Sequence, residues 1–140
     1  MMSGAERTLI PTEGVEQASL FNWAAMRRGK YPELELMFHI PNEGKRSSVT
    51  GGRMVKEGMK AGVPDIFLPV PRGESHGLFI ETKRRKFGKL SKEQADWMEK
   101  LGGKGYAVAV CFGWQEAAET IEAYLNGAEI KFSREKEAAE

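Results

Sequence analysis

Pro64-Asp65-Ile66-Phe67-Leu68-Pro69 and, after a turn-rich segment, Leu78-Phe79-Ile80-Glu81-Thr82-Lys83 decide the fold of this chain. Each joins a short apolar run to an acidic residue, and Pro71, Gly73 and Gly77 between them are turn chemistry. The spacing predicts a hairpin with strands over 65–69 and 78–83. Side chains alternate along a strand, so Glu81 and Lys83 share one face, about 7 Å apart. Both acids then fall on core strands, where Asp, Glu and Lys are rarely buried unless paired or bound to something.

Two carboxylates and an ammonium in one pocket suit a hard, oxygen-loving cation. Asp65, Glu81 and the Thr82 carbonyl would hold Mg²⁺, with Lys83 beside the water that attacks a phosphodiester. The expected class is a metal-dependent nuclease. Glu-x-Lys alone does not justify this, because it recurs as Glu43-Gly44-Lys45 and Glu129-Ile130-Lys131. A structural Glu–Lys or Asp–Lys ion pair at a sheet edge is the competing reading.

A chain of 140 residues, 41% hydrophobic and 29% charged, is predicted to form one domain with a real core. No apolar stretch approaches a membrane span, and residues 1–11 lack a signal-peptide layout, so no membrane partner and an intracellular, cytoplasmic location are expected. The single Cys111 sits in an apolar run and is read as a small hydrophobe. A net charge of +1 carries no global sign of nucleic-acid binding, but its distribution does. Basic residues concentrate in Lys83-Arg84-Arg85-Lys86-Phe87-Gly88-Lys89 and at Lys45-Arg46, Arg53, Lys56 and Lys60. Such runs would contact phosphates, against the alternative of solvated charged loops.

Residues 1–11 read as a loose tail. A first helix is expected over 12–28, N-capped by Thr12, with Glu16, Leu20 and Trp23 on one face. An inward Glu16 wants a partner, either a metal or water, or an ion pair with a neighbour. A strand is predicted over 34–40, then a weaker helix over 47–61 because Gly51, Gly52 and Gly58 each cost about 1 kcal/mol in a helix interior. After the hairpin, Ser91 opens a helix, with Gln94 completing a capping box, Leu90 a possible staple, and Trp97, Met98 and Leu101 apolar. Residues 106–112 read as a strand covered on both faces, 115–125 as a final helix burying Ala118, Ile121 and Leu125, and 129–140 as a frayed tail.

The expected order αβαββαβα is a mixed four-stranded sheet flanked by helices. This order and these motifs resemble the PD-(D/E)XK nuclease superfamily, with its restriction-endonuclease-like α/β core, and within it the virus-type replication-repair nuclease (VRR-NUC) domain. The resemblance rests on Glu16-Gln17, His39-Ile40-Pro41-Asn42-Glu43-Gly44-Lys45-Arg46, Ala61-Gly62-Val63-Pro64-Asp65, Phe79-Ile80-Glu81-Thr82-Lys83, Gly88-Lys89-Leu90-Ser91 leading to Gln94, and Gly105-Tyr106. It spans roughly residues 15–125, within an expected domain over 12–126 and flexible tails at 1–11 and 127–140.

The resemblance implies Mg²⁺, for which Mn²⁺ would substitute, held by Asp65, Glu81 and Thr82, with Glu16 completing the site or holding a second ion. Two neighbouring carboxylates favour an ammonium at Lys83, suited to orienting the attacking water and stabilising developing phosphorane charge. If the metal's charge and burial dominate, a neutral Lys83 takes the proton instead. His39 is read as structural or a substrate contact. Asn42, Lys45, Arg46, Lys86, Lys89 and Gln94 are candidate DNA contacts. Stand-alone members of phage and bacteria imply a homodimer acting on branched DNA, as a four-way (Holliday) junction resolvase, because paired symmetric cuts need two sites at fixed separation. A flap, nicking or replication-fork nuclease and a non-catalytic DNA-binding module are the alternatives. Met37, Met54 and Met59 are candidate dimer-surface groups.

Overall fold

A computed structural model describes residues 4, 9–41 and 56–134. Helix α1, Glu13–Met26, is capped by Thr12, whose side chain accepts from the Val15 N–H. A 3-10 turn, Pro32–Leu36, leads into strand β1, Phe38–His39. Strands β2, Ile66–Leu68, and β3, Leu78–Lys83, follow, then helix α2, Lys92–Gly103, strand β4, Ala107–Phe112, and helix α3, Trp114–Leu125.

The four strands form one mixed sheet in the order β1-β2-β3-β4. β1 and β2 pair antiparallel, as do β2 and β3, in the predicted hairpin. β3 and β4 run parallel over six residue pairs, from Leu78↔Ala107 to Lys83↔Phe112. Parallel neighbours need a crossover, which α2 supplies.

Alternation along β3 divides the core. Ile66, Leu68, Leu78 and Ile80 join Ala109 and Cys111 beneath Leu20 of α1 and Ile121 and Tyr124 of α3. Val108, Val110 and Phe112 pack with Met98 of α2, and Phe79 lies against them. The same alternation carries Glu81 to the α2 side. β4 is buried at every position, as its near-continuous apolar run predicts.

Three expectations need correction. The strand predicted over 34–40 is mostly the 3-10 turn: Pro32 favours a helical start, and the Leu34 and Met37 amides bond to the Tyr31 and Leu34 carbonyls at 3.1 and 3.2 Å. The turn buries Leu34 and Met37, so Met37 is core and not a dimer-surface group. Chain beyond residue 127, expected to be loose, is packed as far as Arg134: Ile130 and Phe132 rest on the two core clusters, and Arg134 donates to Glu99 and Asp96 at 2.6 and 2.8 Å. Most of the helix predicted over 47–61, including Arg53 and Met54, and parts of both expected tails lie outside the described residues.

Candidate metal centre

Asp65 immediately precedes β2, whose pairing with β3 ends at Ile66↔Ile80. Two residues beyond that pair, Thr82 has no β2 residue opposite it, and the Asp65 side chain takes the role of the missing strand. The Thr82 N–H donates to Asp65 Oδ1 at 3.1 Å and its hydroxyl to Oδ2 at 2.6 Å. Asp65 is held from behind as well. Trp97 of α2 donates from Nε1 to the Ala61 carbonyl at 3.0 Å. Gly62, at φ 90°, lies so close to α2 that a Cβ would stand 2.8 Å from the Glu93 backbone.

Glu81 projects toward α2, where Gln94 donates from Nε2 to its Oε2 at 3.1 Å. Lys83 Nζ lies 3.8 Å from the same oxygen. Glu81 is 4% and Lys83 8% exposed. The other oxygen, Glu81 Oε1, is buried with no hydrogen-bond partner among the described residues. Asp65 and Glu81 share a cavity of about 400 Å³ with Glu13, Gly14, Gln17, His39 and Gln94. The His39 ring Nδ1 lies 2.9 Å from the Asp65 carbonyl, which can only accept, so that nitrogen carries a proton.

The electrostatics follow from this crowding. Burial pushes Glu81 up to about 9, with the Asp65 charge adding to it and Lys83 opposing it. Burial also pushes Asp65 up to about 6, against the two hydrogen bonds from Thr82. Two acids that resist ionisation together, and a buried carboxylate oxygen without a donor, are what a divalent cation would correct. The donor set therefore fits a hard cation. Among the described residues no group of three His, Cys, Asp or Glu comes together as a complete ligand set, so backbone carbonyl and water would supply the remaining positions.

The structure brings Asp65, Glu81, Thr82, Lys83 and Gln94 together, but not Glu16. Glu16 is inward, as predicted, yet its carboxylate accepts from Arg85 Nε at 2.8 Å and Nη2 at 3.4 Å, and from the Trp114 N–H at 3.5 Å. Gly113, at φ 90°, makes room for this pair, because a Cβ there would overlap Arg85. Glu16 is thus spent on an ion pair, and the α1 acid on the cavity wall is Glu13. Sequence reasoning missed Glu13 and named Gln17 only within the Glu16-Gln17 motif, without a role; the i, i+4 spacing of Glu13 and Gln17 in the first turns of α1 is what sets both on the cavity wall.

The basic run divides in the same way. Arg84 donates to the Ile10 and Pro11 carbonyls at 2.6 and 3.1 Å, and its guanidinium lies over the Phe87 ring. Arg85 is held by Glu16 and Gln115. Lys86, at φ 65° in the turn, and Lys89 are exposed. Asn42, Lys45 and Arg46 lie outside the described residues.

Comparison with known proteins places this geometry in context. The chain matches the family model of the VRR-NUC domain over residues 15–115. A solved structure described as a VRR_NUC domain protein shares 27% identity and superposes with a TM-score of 0.72, the match covering 86% of this chain and 93% of that one. No curated protein matches.

Proposed function

This chain belongs to the VRR-NUC domain family, a nuclease-type domain on a restriction-endonuclease-like core, and from that premise we propose that it is a divalent-metal-dependent, structure-selective DNA endonuclease. The observation that carries the metal is Glu81 Oε1, a buried acceptor without a donor in a cavity shared with Asp65. A structural ion pair does not account for it, because Lys83 and Gln94 both address the other oxygen. Asp65, Glu81 and the Thr82 carbonyl would hold Mg²⁺, or Mn²⁺ in its place. Bound there, the cation would polarise the phosphoryl oxygen and lower the pKa of water.

The chain's own residues do the remainder. Thr82 fixes the Asp65 carboxylate by two hydrogen bonds, and Gln94 fixes Glu81, so neither acid needs to reorganise when charge develops. Lys83 projects on the face of Glu81 and offers positive charge to a phosphate crossing the cavity. Lys86 and Lys89 stand at the exposed turn just beyond β3, where they would take flanking phosphates.

The finer substrate reading is a homodimer that resolves four-way junctions. It rests on the requirement for two sites at a fixed separation in a paired cut. The test is cleavage of labelled four-way junction, 5′-flap, linear duplex and single-stranded DNA in Mg²⁺, Mn²⁺ or EDTA, with Asp65→Ala and Lys83→Ala alongside the native chain and light scattering for its mass. Paired symmetric cuts by a dimer, lost in EDTA and in both variants, are the expected result. Metal-dependent cutting of flaps or duplex alone would keep the nuclease and remove the resolvase, and binding without cleavage would leave a DNA-binding module.

A further inference from the structure

Helix α1 is apolar on two opposite sides. Its inward side buries Leu20 and Ala24 together with Glu16. At 3.6 residues per turn, Gly14, Val15, Ala18, Asn22, Ala25 and Met26 fall within an arc of about 120° on the other side. All six are exposed, Val15 by 55% and Met26 by 84%. A surface helix turns its charged residues toward water. Between Glu13 and Arg27, however, the one charged residue is Glu16, which is buried, so the outward stripe holds no charge. We propose that this stripe docks a second copy of the chain, α1 against α1, antiparallel about a two-fold axis level with Leu20. The contact assigns a surface to the homodimer of the preceding subsection and rests on that reading.

Two observations identify the occupant as a second copy. In an antiparallel pair centred on residue 20, positions equally far before and after it face each other across the axis. Gly14 then meets Met26, Val15 meets Ala25 and Ala18 meets Asn22, each a smaller side chain against a larger one. A Cβ on Gly14 would meet nothing within 4 Å, so the space that Met26 would enter is open. Small residues along the stripe also let two helix axes approach to about 8–10 Å. The ends are complementary in charge as well. Glu13 begins α1, whereas Arg27, which also bonds Glu122, and the exposed Arg28 follow it. Antiparallel docking sets acid against base at both ends, and parallel docking would set like against like.

This contact would also space the two cavities. Gly14 and Gln17 line the cavity of Asp65 and Glu81, so each copy carries its cavity at the start of α1. At 1.5 Å per residue, antiparallel docking holds the two starts about 21 Å apart along the helix axis.

Light scattering and far-UV circular dichroism of the full chain and of Ala18→Glu test the surface, and disulfide trapping tests its polarity. The native chain is expected at twice the mass of one chain. Ala18→Glu is expected at the mass of one chain with an unchanged spectrum, because docking would bury an unpaired carboxylate. For trapping, Val15→Cys and Ala25→Cys chains are oxidised separately and mixed; the native Cys111 is buried and does not compete. A covalent dimer is expected only in the mixture, because like positions would lie about 15 Å apart along the axis, beyond the ~7 Å that a disulfide spans. A covalent dimer of Val15→Cys alone, or none in the mixture, overturns the antiparallel contact. A native dimer that persists undiminished in Ala18→Glu overturns the surface and leaves the homodimer reading standing. If Ala18→Glu loses its spectrum, the trapped pair decides alone. A native chain at the mass of one chain overturns the homodimer reading and this contact with it.

Discussion

Gln94 holds Glu81 and caps its own helix with the two ends of one amide. Its Nε2 donates to Glu81 Oε2 at 3.1 Å while its Oε1 accepts from the Ser91 N–H at 2.9 Å. The Ser91 hydroxyl returns the bond by accepting from the Gln94 N–H at 3.1 Å. A folding device and a site residue are therefore one side chain. Gln94→Ala is expected to cost about 1 kcal/mol in stability from the cap, and to weaken Mg²⁺ binding roughly tenfold because Glu81 loses its orienting donor. Ser91→Ala should cost a similar stability with a smaller effect on the metal. Urea melts and Mg²⁺ titrations of both variants check this; equal metal affinity in the two would remove Gln94 from the site.

The raised acids make a signed prediction for pH. Asp65 moves from 3.8 to about 6 and Glu81 from 4.5 to about 9 on folding, so the native state binds more protons than the unfolded chain across that interval. Their contribution to stability in EDTA is thus full below about pH 4 and is lost as pH rises toward 9, by at most ~1.4 kcal/mol per group per unit. Glu81→Gln removes the longer part of this slope. Chemical denaturation in EDTA at pH 5, 7 and 9 should show the native chain losing ground to Glu81→Gln as pH rises.

Metal binding should run the other way. A cation must displace the proton of Glu81, so Mg²⁺ affinity is expected to rise between about pH 6 and 9 with net proton release. Titration in buffers of different ionisation enthalpy measures the released protons directly. A pH-independent affinity would count against Glu81 as a ligand.

The Glu16–Arg85 pair is asymmetric. Glu16 is 2% exposed, whereas the Arg85 side chain is 38% exposed and has Gln115 as a second partner. Arg85→Met leaves a buried carboxylate with little besides the Trp114 amide, while Glu16→Gln leaves a guanidinium that water can reach. Arg85→Met should therefore cost about 3 kcal/mol and Glu16→Gln about 1 kcal/mol, by the penalty for an unpaired buried charge. Equilibrium unfolding of the two variants gives the order; a larger loss for Glu16→Gln would contradict it.

Of the basic turn, only Lys86 and Lys89 are exposed and without a structural bond in the described contacts. The Lys86→Ala, Lys89→Ala double variant is expected to fold normally, to bind DNA more weakly, and to lower the salt slope by about 1 per contact removed. Binding measured at several salt concentrations checks it.

The sequence carried the fold where local chemistry and periodicity agreed. Ser91 and Gln94 announced α2, the apolar run 107–112 announced β4, and alternation placed Glu81 and Lys83 on one face. It failed where two periods fit equally. Leu34, Leu36, Phe38 and Ile40 alternate as a strand would, while Leu34 and Met37, spaced i, i+3, are the pair that the 3-10 turn buries. Glu13 and Glu16 lie about 60° apart around α1, too near in phase to say which meets the core and which the cavity. Arg84 and Arg85 read as phosphate binders because their partners, Ile10, Pro11 and Glu16, are distant in sequence.

The hairpin that carries the acids turns at its far end from them. Asp65 and Thr82 meet at the open end of β2 and β3, while Gly73 and Glu74 sit exposed at the closed end, and a Cβ at Gly73 has empty space around it. A fluorophore or an inserted peptide at 73–74 would thus ride on the same hairpin as the Asp65 and Glu81 carboxylates and leave their register untouched. Inserting one residue within β3 would instead move every later side chain to the opposite face. The molecule therefore offers a place to attach a reporter, one ladder away from a place where a single codon would erase the site.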